Sequence, residues 1–331
     1  MTDKVICLLI GPGTLPSRGV DRMDLVRYAE WKSGRKPMTG QELLAELPEV
    51  AKIAQVEVDG GNPYDHASFN GLRALAMRIN ALVQRGDVAG VIFVQGTNNI
   101  EETAYFLNLT VRTKKPVIVT GAQRPFTGMS SDAQLNFIDA VRVASSDAAA
   151  GMGVVVVANS EINAARDVTK SNTYRLQTFR SRDLGILGYS DGDGVVFYRR
   201  PVRRHTSESE FDVARMESMP RVDVLYVMTG VRPDLARAAV NLGARGLVIA
   251  GSGAGSTGDL RKELAAIAGE GVVVVRSARV GDGRVIRDDN WNEPGMVAAD
   301  NLSPQKAAIL LTLALGVTKD PDAIQRMFDT Y

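Results

Sequence analysis

Two threonines follow closely on apolar runs that have the character of buried strands. Thr97 comes shortly after Val88–Val94, and Thr14 comes shortly after Val5–Ile10. In open α/β sheets ligands bind at the carboxyl ends of the strands, so both hydroxyls are expected at that edge. A threonine hydroxyl becomes a useful nucleophile once a base removes its proton. The alternative is that both threonines are ordinary turn or cap residues.

The scarcity of other reactive groups narrows the chemistry. The 331 residues include two histidines and one cysteine, and no group of Cys, His and acidic residues has metal-ligand spacing. A Ser-His-Asp or Cys-His site needs a well-placed histidine, so a hydroxyl activated by a lysine, a tyrosine or a carboxylate is the better prediction. His66 and His205 are interpreted as surface or hydrogen-bonded residues. No metal and no cofactor is expected.

Composition and charge are those of an ordinary globular protein. Apolar residues make up 45% of the chain and charged residues 23%, and the net charge of +1 gives no footprint for nucleic acid or an anionic membrane. The apolar run Val5–Ile10 is too short for a signal peptide, and no run reaches membrane-spanning length. Cys7 lies within that run, so no disulfide framework is expected. These features predict a cytoplasmic protein with neither nucleic-acid nor membrane partners.

Alternating strand and helix patterns in the first part of the chain predict a mostly parallel sheet with right-handed crossovers. The predicted strands are Val5–Ile10, Ile53–Val58, Val88–Val94, Val117–Val119 and Gly153–Val157, with helices at Ala67–Gln84 and Ser131–Ser146 and a hairpin over Gly185–Tyr198. The polar segment Leu15–Gly40 has the character of a lid, with a short helix over Asp24–Lys32. Neither Gly-rich loop, at 11–13 or 251–258, has the register of a nucleotide-binding motif.

The second part of the chain predicts a smaller α/β unit. Its strands are expected near Val224–Val227, Leu247–Ala250 and Val272–Val275, and its helices at Asp234–Leu242, Asp259–Ala268, Pro304–Leu315 and Asp322–Phe328. The predicted fold class is therefore α/β, with a larger N-terminal, doubly wound, mostly parallel sheet domain and a smaller C-terminal parallel α/β domain. The expected boundaries are 1–200 for the first domain, 201–219 for a linker and 220–331 for the second domain.

The turn after Val94 carries its own helix-start signals. Gly96 permits a sharp turn, and Asn99 with Glu102 three residues later resembles a capping box. The Gly96–Thr97 turn is therefore expected to present backbone N–H groups to a developing oxyanion.

Five ordered motifs carry a resemblance to a known family. They are Gly13-Thr14, Gln95-Gly-Thr-Asn98 followed by Glu101-Glu-Thr-Ala-Tyr-Phe-Leu107, Gly121-Ala-Gln-Arg-Pro125, Arg166-Asp-Val-Thr-Lys170 and Asn301-Leu-Ser-Pro-Gln-Lys306. In these motifs the chain resembles the bacterial-type L-asparaginase/glutaminase family over essentially its full length.

The resemblance implies an amidohydrolase that works through an acyl-enzyme on one of two threonines, Thr14 and Thr97. It implies that Lys170 works with Thr97, and that Tyr28, on the predicted lid, activates Thr14. No cofactor is implied.

The family is usually a homotetramer, a dimer of intimate dimers, in which a neighbouring subunit lends an acidic residue to the site. Asp288 is the best match for that residue, with Asp289 next. The remaining substrate-binding set implied for this chain consists of Gln95, Gly96, Asn98, Gly61 and Asn62.

The substrate-recognition motifs depart from the family pattern. The central motif normally reads His-Gly-Thr-Asp, whereas this chain has Gln95 and Asn98 at its ends. The family aspartate pairs with the substrate's α-ammonium, and an uncharged Asn98 loses that charge-assisted hydrogen bond. No serine matches the family's carboxylate-binding serine around Gly60–Asn62, Ala254 stands where the family has an asparagine, and Pro12 replaces a glycine.

Three functions follow from these motifs. The first is hydrolysis of the side-chain amide of L-asparagine, or of a related small amide, with release of ammonia. The second is the same chemistry on an amide, imide or lactam that has no free α-ammonium group. The third is a catalytically inactive homologue that binds a metabolite.

Overall fold

The computed structural model describes residues 4–29, 32, 34–60, 64–216, 218–288 and 296–331. The chain divides into two compact units, Met1–Ser209 and Glu210–Tyr331. Three residues of the predicted site, Gly61, Asn62 and Asp289, lie outside the described residues.

The first unit is built on an eight-stranded sheet in the order β10-β9-β6-β5-β4-β3-β1-β2. Its strands, with the separate two-stranded ribbon β7–β8, are β1 Val5–Ile10, β2 Gln55–Val58, β3 Val88–Val94, β4 Val117–Thr120, β5 Val154–Ala158, β6 Glu161–Ala164, β7 Thr169–Lys170, β8 Phe179–Arg180, β9 Gly188–Asp191 and β10 Gly194–Phe197. Strands β1 to β5 pair in parallel, and β6, β9 and β10 pair antiparallel. The helices are α1 Gly40–Glu46, α2 Phe69–Val83, α3 Ile100–Thr110 and α4 Ala133–Ser145.

Strand β3 lies inside the sheet, as its apolar run predicts. Four consecutive residues, Val91 to Val94, have no solvent exposure, and helices α2 and α4 both pack against the strand. A strand covered on both faces reads as a continuous apolar run rather than an alternating one. Helix α3 directly follows β3, and all of its residues except Glu102 are buried. The loop between β3 and α3 is therefore held by two buried elements.

Two local predictions are wrong, one wholly and one in part. Asn99 precedes α3, but its side chain caps no helix N–H. Its amide instead donates a 2.6 Å hydrogen bond to the carbonyl oxygen of His66. The side chain therefore points to His66 and not to the N–H groups of the helix. The short helix expected over Asp24–Lys32 is absent from residues 24–29, where 25–27 and 29 form bends, whereas Lys32 is helical.

The second unit has a four-stranded parallel sheet in the order β11-β12-β13-β14. Its elements are β11 Val222–Tyr226, α5 Asp234–Asn241, β12 Gly246–Gly251, α6 Arg261–Gly269, β13 Val273–Ala278, β14 Met296–Ala298, α7 Pro304–Leu315 and α8 Pro321–Thr330. Short 3₁₀ turns in the two units cover Pro48–Lys52, Asp147–Ala149, Arg182–Leu184, Thr206–Glu208 and Gly258–Leu260. The predicted α/β fold class, with a larger mostly parallel sheet and a smaller parallel one, is confirmed. Within the described ranges, no helix combines the length and apolar character that crossing a membrane requires.

Candidate active site

The loops that follow β1 and β3 touch each other through their backbones. The N–H of Gly96 donates a 2.9 Å hydrogen bond to the carbonyl oxygen of Pro12. A Cβ atom on Gly13 would lie 2.6 Å from the carbonyl carbon of Gln95 and from the Cα of Gly96, closer than real Cβ atoms approach. Only glycine therefore permits this contact, which brings the two threonine-bearing loops together at one edge of the sheet.

Thr97 lies in a compact hydrogen-bonded cluster. The Nζ of Lys170 is 2.7 Å from the Thr97 Oγ1, and the Oε1 of Gln123 is 3.1 Å from that Oγ1 and 3.2 Å from the Nζ. Thr97 is 5% exposed, and Lys170 is half-buried. The expected partnership of Thr97 and Lys170 is thus present as a direct contact.

Burial lowers the pKa of the Lys170 ammonium, because removing the group from water disfavours its charged form. A lysine with a lowered pKa can act as a general base, whereas an ordinary lysine holds its proton near neutral pH. The neutral amine would accept the hydroxyl proton of Thr97 across the same 2.7 Å contact.

Thr14 has a partner of its own. Its Oγ1 lies 3.1 Å from the phenolic oxygen of Tyr28, and both side chains are half-buried. Each threonine therefore contacts the residue that the family resemblance implies as its partner.

The remaining residues of the β3–α3 loop differ in exposure. Gln95 is fully buried, and its amide nitrogen donates to the carbonyl oxygen of Gly96 at 3.1 Å and to the Oδ1 of Asn99 at 3.4 Å. Asn98 is exposed. The N–H of Gly96 donates to the carbonyl oxygen of Pro12, so this one N–H of the Gly96–Thr97 turn does not face an oxyanion.

Asp288 belongs to the second unit, where it is half-buried. Burial lowers the pKa of the Arg276 guanidinium, and the negative charge of Asp288 opposes that effect. Arg276 also donates a 3.0 Å hydrogen bond to the carbonyl oxygen of Ile286, two residues before Asp288. Arg276 thus tethers the segment that carries the predicted acidic residue.

Sequence reasoning missed two residues that contact the Thr97 cluster. Gln123 follows β4 in the motif Gly121-Ala-Gln-Arg-Pro125, and its position just after a parallel strand was the available signal. Glu101 is buried, and its Oε1 accepts hydrogen bonds from the Lys170 N–H at 3.2 Å and the Thr169 hydroxyl at 3.1 Å. A carboxylate in the first turn of α3 thereby fixes the short strand β7 that carries Lys170.

Both histidines are explained without a catalytic role. His66 is buried and makes a T-shaped ring contact with Phe93, and burial lowers its pKa. Of the two interpretations offered for His66, that of a surface residue is therefore wrong. His205 is half-buried and lies 2.8 Å from the Thr206 hydroxyl through its Nδ1. In the described part of the chain, no three His, Cys, Asp or Glu side chains are grouped to hold a metal ion.

Comparisons with known proteins give the context of this site. Residues 4–203 match the family model described as "Asparaginase, N-terminal", and residues 221–328 match "Glutaminase/Asparaginase C-terminal domain". The chain is 41% identical to L-asparaginase 2 of Bacillus subtilis (strain 168) over 309 residues, which cover 91% of this chain and 80% of that protein. It is 38% identical to L-asparaginase 2 of Escherichia coli (strain K12) over 332 residues, 98% and 93% of the two chains.

A solved structure agrees with these matches. The probable cytoplasmic L-asparaginase from Campylobacter jejuni superposes with a TM-score of 0.89 at 33% identity and covers 99% of this chain and 100% of its own. The fold, the two family models and these identities lead to one conclusion: the chain belongs to the asparaginase family of enzymes, which hydrolyse amide C–N bonds.

Proposed function

We propose that this enzyme hydrolyses a small carboxamide through a threonine acyl-enzyme and releases ammonia. The observation that carries the proposal is the pairing of each threonine with a group that can take its proton. Thr97 contacts Lys170 at 2.7 Å, and Thr14 contacts Tyr28 at 3.1 Å. Turn or cap threonines have no need of such partners.

In the proposed reaction a threonine Oγ1 attacks the amide carbon while its partner accepts the hydroxyl proton. The tetrahedral intermediate collapses, the C–N bond breaks, and the proton passes to the leaving nitrogen, which departs as ammonia. Water then attacks the resulting ester, giving the free carboxylic acid and restoring the hydroxyl. Either threonine is able to begin this sequence.

The names of the relatives make L-asparagine and L-glutamine the first substrates to consider. Asn98 favours a second possibility, an amide, imide or lactam without a free α-ammonium group. A neutral amide offers an ammonium a weaker hydrogen bond than a carboxylate does, and a hydrogen bond to a charged group contributes about 1.5–3 kcal/mol. The exposure of Asn98 is compatible with contact between its side chain and a bound molecule.

We further propose that the enzyme is a cytoplasmic homotetramer, a dimer of intimate dimers. Asp288 would then enter the active site of a neighbouring subunit, and Gly61 and Asn62 would line the substrate site. Gln95 and Gly96 would act by supporting the loop that carries Thr97. The third possibility, an inactive metabolite-binding homologue, is disfavoured because both threonines keep their activating partners.

The decisive experiment is steady-state ammonia release from L-asparagine, L-glutamine and succinamic acid, which is L-asparagine without its amino group. Loss of imide or lactam is followed separately, because ring opening releases no ammonia. Thr14→Ala and Thr97→Ala are the controls, and both are expected to lose activity. A wild-type protein that consumes none of these compounds would establish the inactive homologue.

A further inference from the structure

The Gln123 side chain has two chemically different ends in two different environments. Its Nε2 donates to the carbonyl oxygens of Thr173 at 3.3 Å and Arg175 at 3.1 Å. Carbonyl oxygens only accept hydrogen bonds and a lysine ammonium only donates them. The orientation of the amide is therefore fixed by its partners, with the oxygen toward Lys170.

Both supports of this amide are themselves held by hydrogen bonds. The backbone N–H of Gln123 donates to the Oδ2 of Asp132 at 2.9 Å. On the other side, the Asn172 Oδ1 accepts from the N–H groups of Tyr174 at 3.0 Å and Arg175 at 2.9 Å, which shapes the turn that presents the two carbonyls. Gln123 consequently has little freedom to rotate away from the Thr97 cluster.

The Oε1 of Gln123 accepts from both reacting groups, the Lys170 Nζ at 3.2 Å and the Thr97 Oγ1 at 3.1 Å. A neutral amine has two N–H bonds and one lone pair. When one N–H points to Gln123, the lone pair is free to point to the hydroxyl 2.7 Å away, whose single proton then turns from Gln123 to the amine. We propose that Gln123 is a positioning residue that holds the Lys170 amine with its lone pair toward the Thr97 hydroxyl. This inference rests on the proposed function, in which Lys170 is the base for Thr97.

The same hydrogen bond has an electrostatic consequence. Burial lowers the pKa of Lys170. A hydrogen-bond acceptor beside an ammonium favours the charged form, so Gln123 is expected to oppose that effect. Removing the acceptor is expected to lower that pKa further, and replacing the amide with a carboxylate is expected to raise it.

Gln123→Met and Gln123→Glu test the inference, because both keep the length of the side chain. The Met variant should lose about tenfold in kcat with little change in KM, since ground-state binding is untouched. The rising limb of its kcat/KM against pH should move to lower pH, and that of the Glu variant to higher pH. Gln84→Met and Gln84→Glu, at an exposed position beyond α2, should leave the profile unchanged. If the rising limb of kcat/KM lay at the wild-type pH in both Gln123 variants, the inference would be overturned.

A second measurement separates this inference from the proposed function. Competitive labelling of the Lys170 amine with trace acetic anhydride across pH, read by peptide mass spectrometry, reports its protonation without turnover. The midpoint should fall in Gln123→Met and rise in Gln123→Glu. Identical midpoints in the wild type and both variants would overturn the role of Gln123. A wild type that hydrolyses no amide would overturn the proposed function. The labelling midpoints would still show whether Gln123 acts on the Lys170 amine.

Discussion

At the residue scale, the contact between Thr97 and Lys170 predicts a particular dependence on pH. Burial lowers the pKa of Lys170, so its neutral, proton-accepting form exists at lower pH than in an exposed lysine, whose pKa is about 10.4. We expect kcat/KM to rise with pH and to level off below that value. In Lys170→Met and Lys170→Arg, kcat should fall by about 100-fold or more, because neither side chain can serve as the base.

Lys114→Met is the matched control for this prediction, since Lys114 is an exposed lysine of the same unit and should leave the profile unchanged. The free energy of unfolding should also depend on the protonation of Lys170. The unfolded chain binds the proton more tightly, so the free energy of unfolding rises with pH between the native pKa and the ordinary lysine pKa. A pH-independent kcat/KM would remove Lys170 from the role of base.

Asn98→Asp tests whether charge at the central loop selects the substrate. A carboxylate at this exposed position is expected to lower KM for L-asparagine by about tenfold or more, through a hydrogen bond to the α-ammonium. Succinamic acid has no ammonium and should gain nothing, so the ratio of the two kcat/KM values is the measurement. Asn70→Asp, an exposed position on α2, controls for the added charge alone. An unchanged ratio would show that Asn98 does not face the amino group.

At the element scale, the contact between the β1 and β3 loops should tolerate no side chain at position 13. In Gly13→Ala the new Cβ meets backbone atoms of Gln95 and Gly96. Backbone atoms cannot move aside as the end of a flexible side chain can. The overlap is expected to cost about 1–3 kcal/mol in the free energy of unfolding and to separate Thr14 from Thr97. The rate of ammonia release should therefore fall further than the lowered melting temperature alone accounts for.

Gly86→Ala is the matched control, because a Cβ at Gly86 meets no atom within 4 Å. Circular-dichroism melting and ammonia release, measured on both variants, separate loss of the site from loss of the fold. Full activity in Gly13→Ala would show that the two loops need not touch for catalysis.

The elements that the sequence predicts well are those with long apolar patterns. The predicted Val88–Val94 and Pro304–Leu315 agree with β3 and α7 residue for residue, since most residues of both elements are buried. The three-residue strand β14 and the two-residue strands β7 and β8 are too short to show a period.

Sequence patterns predict the candidate site residues that belong to a motif. They do not predict residues whose role depends on a long-range contact. Thr14, Thr97 and Lys170 follow from strand ends and motifs, and Tyr28 follows from the family resemblance. The roles of Gln123 and Glu101 depend on contacts with residues 26 to 69 positions away along the chain, which no local pattern encodes. Asn99 fails as a cap for the same reason, because the competing carbonyl of His66 is 33 positions away.

At the scale of the whole molecule, the proposed homotetramer and the proposed role of Asp288 make one joint prediction. Asp288→Ala and Thr97→Ala should each be nearly inactive alone. When the two variants are mixed and their subunits exchanged, some sites combine an intact Thr97 with an intact Asp288 from a neighbour, and activity should return. Thr97→Ala mixed with Lys170→Met should stay inactive, because both changes disable a cluster formed within one chain. Light scattering should give four times the 35.6 kDa of the chain. A tetramer whose mixed subunits stay inactive would exclude Asp288 as the shared residue, and a monomeric mass would exclude the shared site altogether.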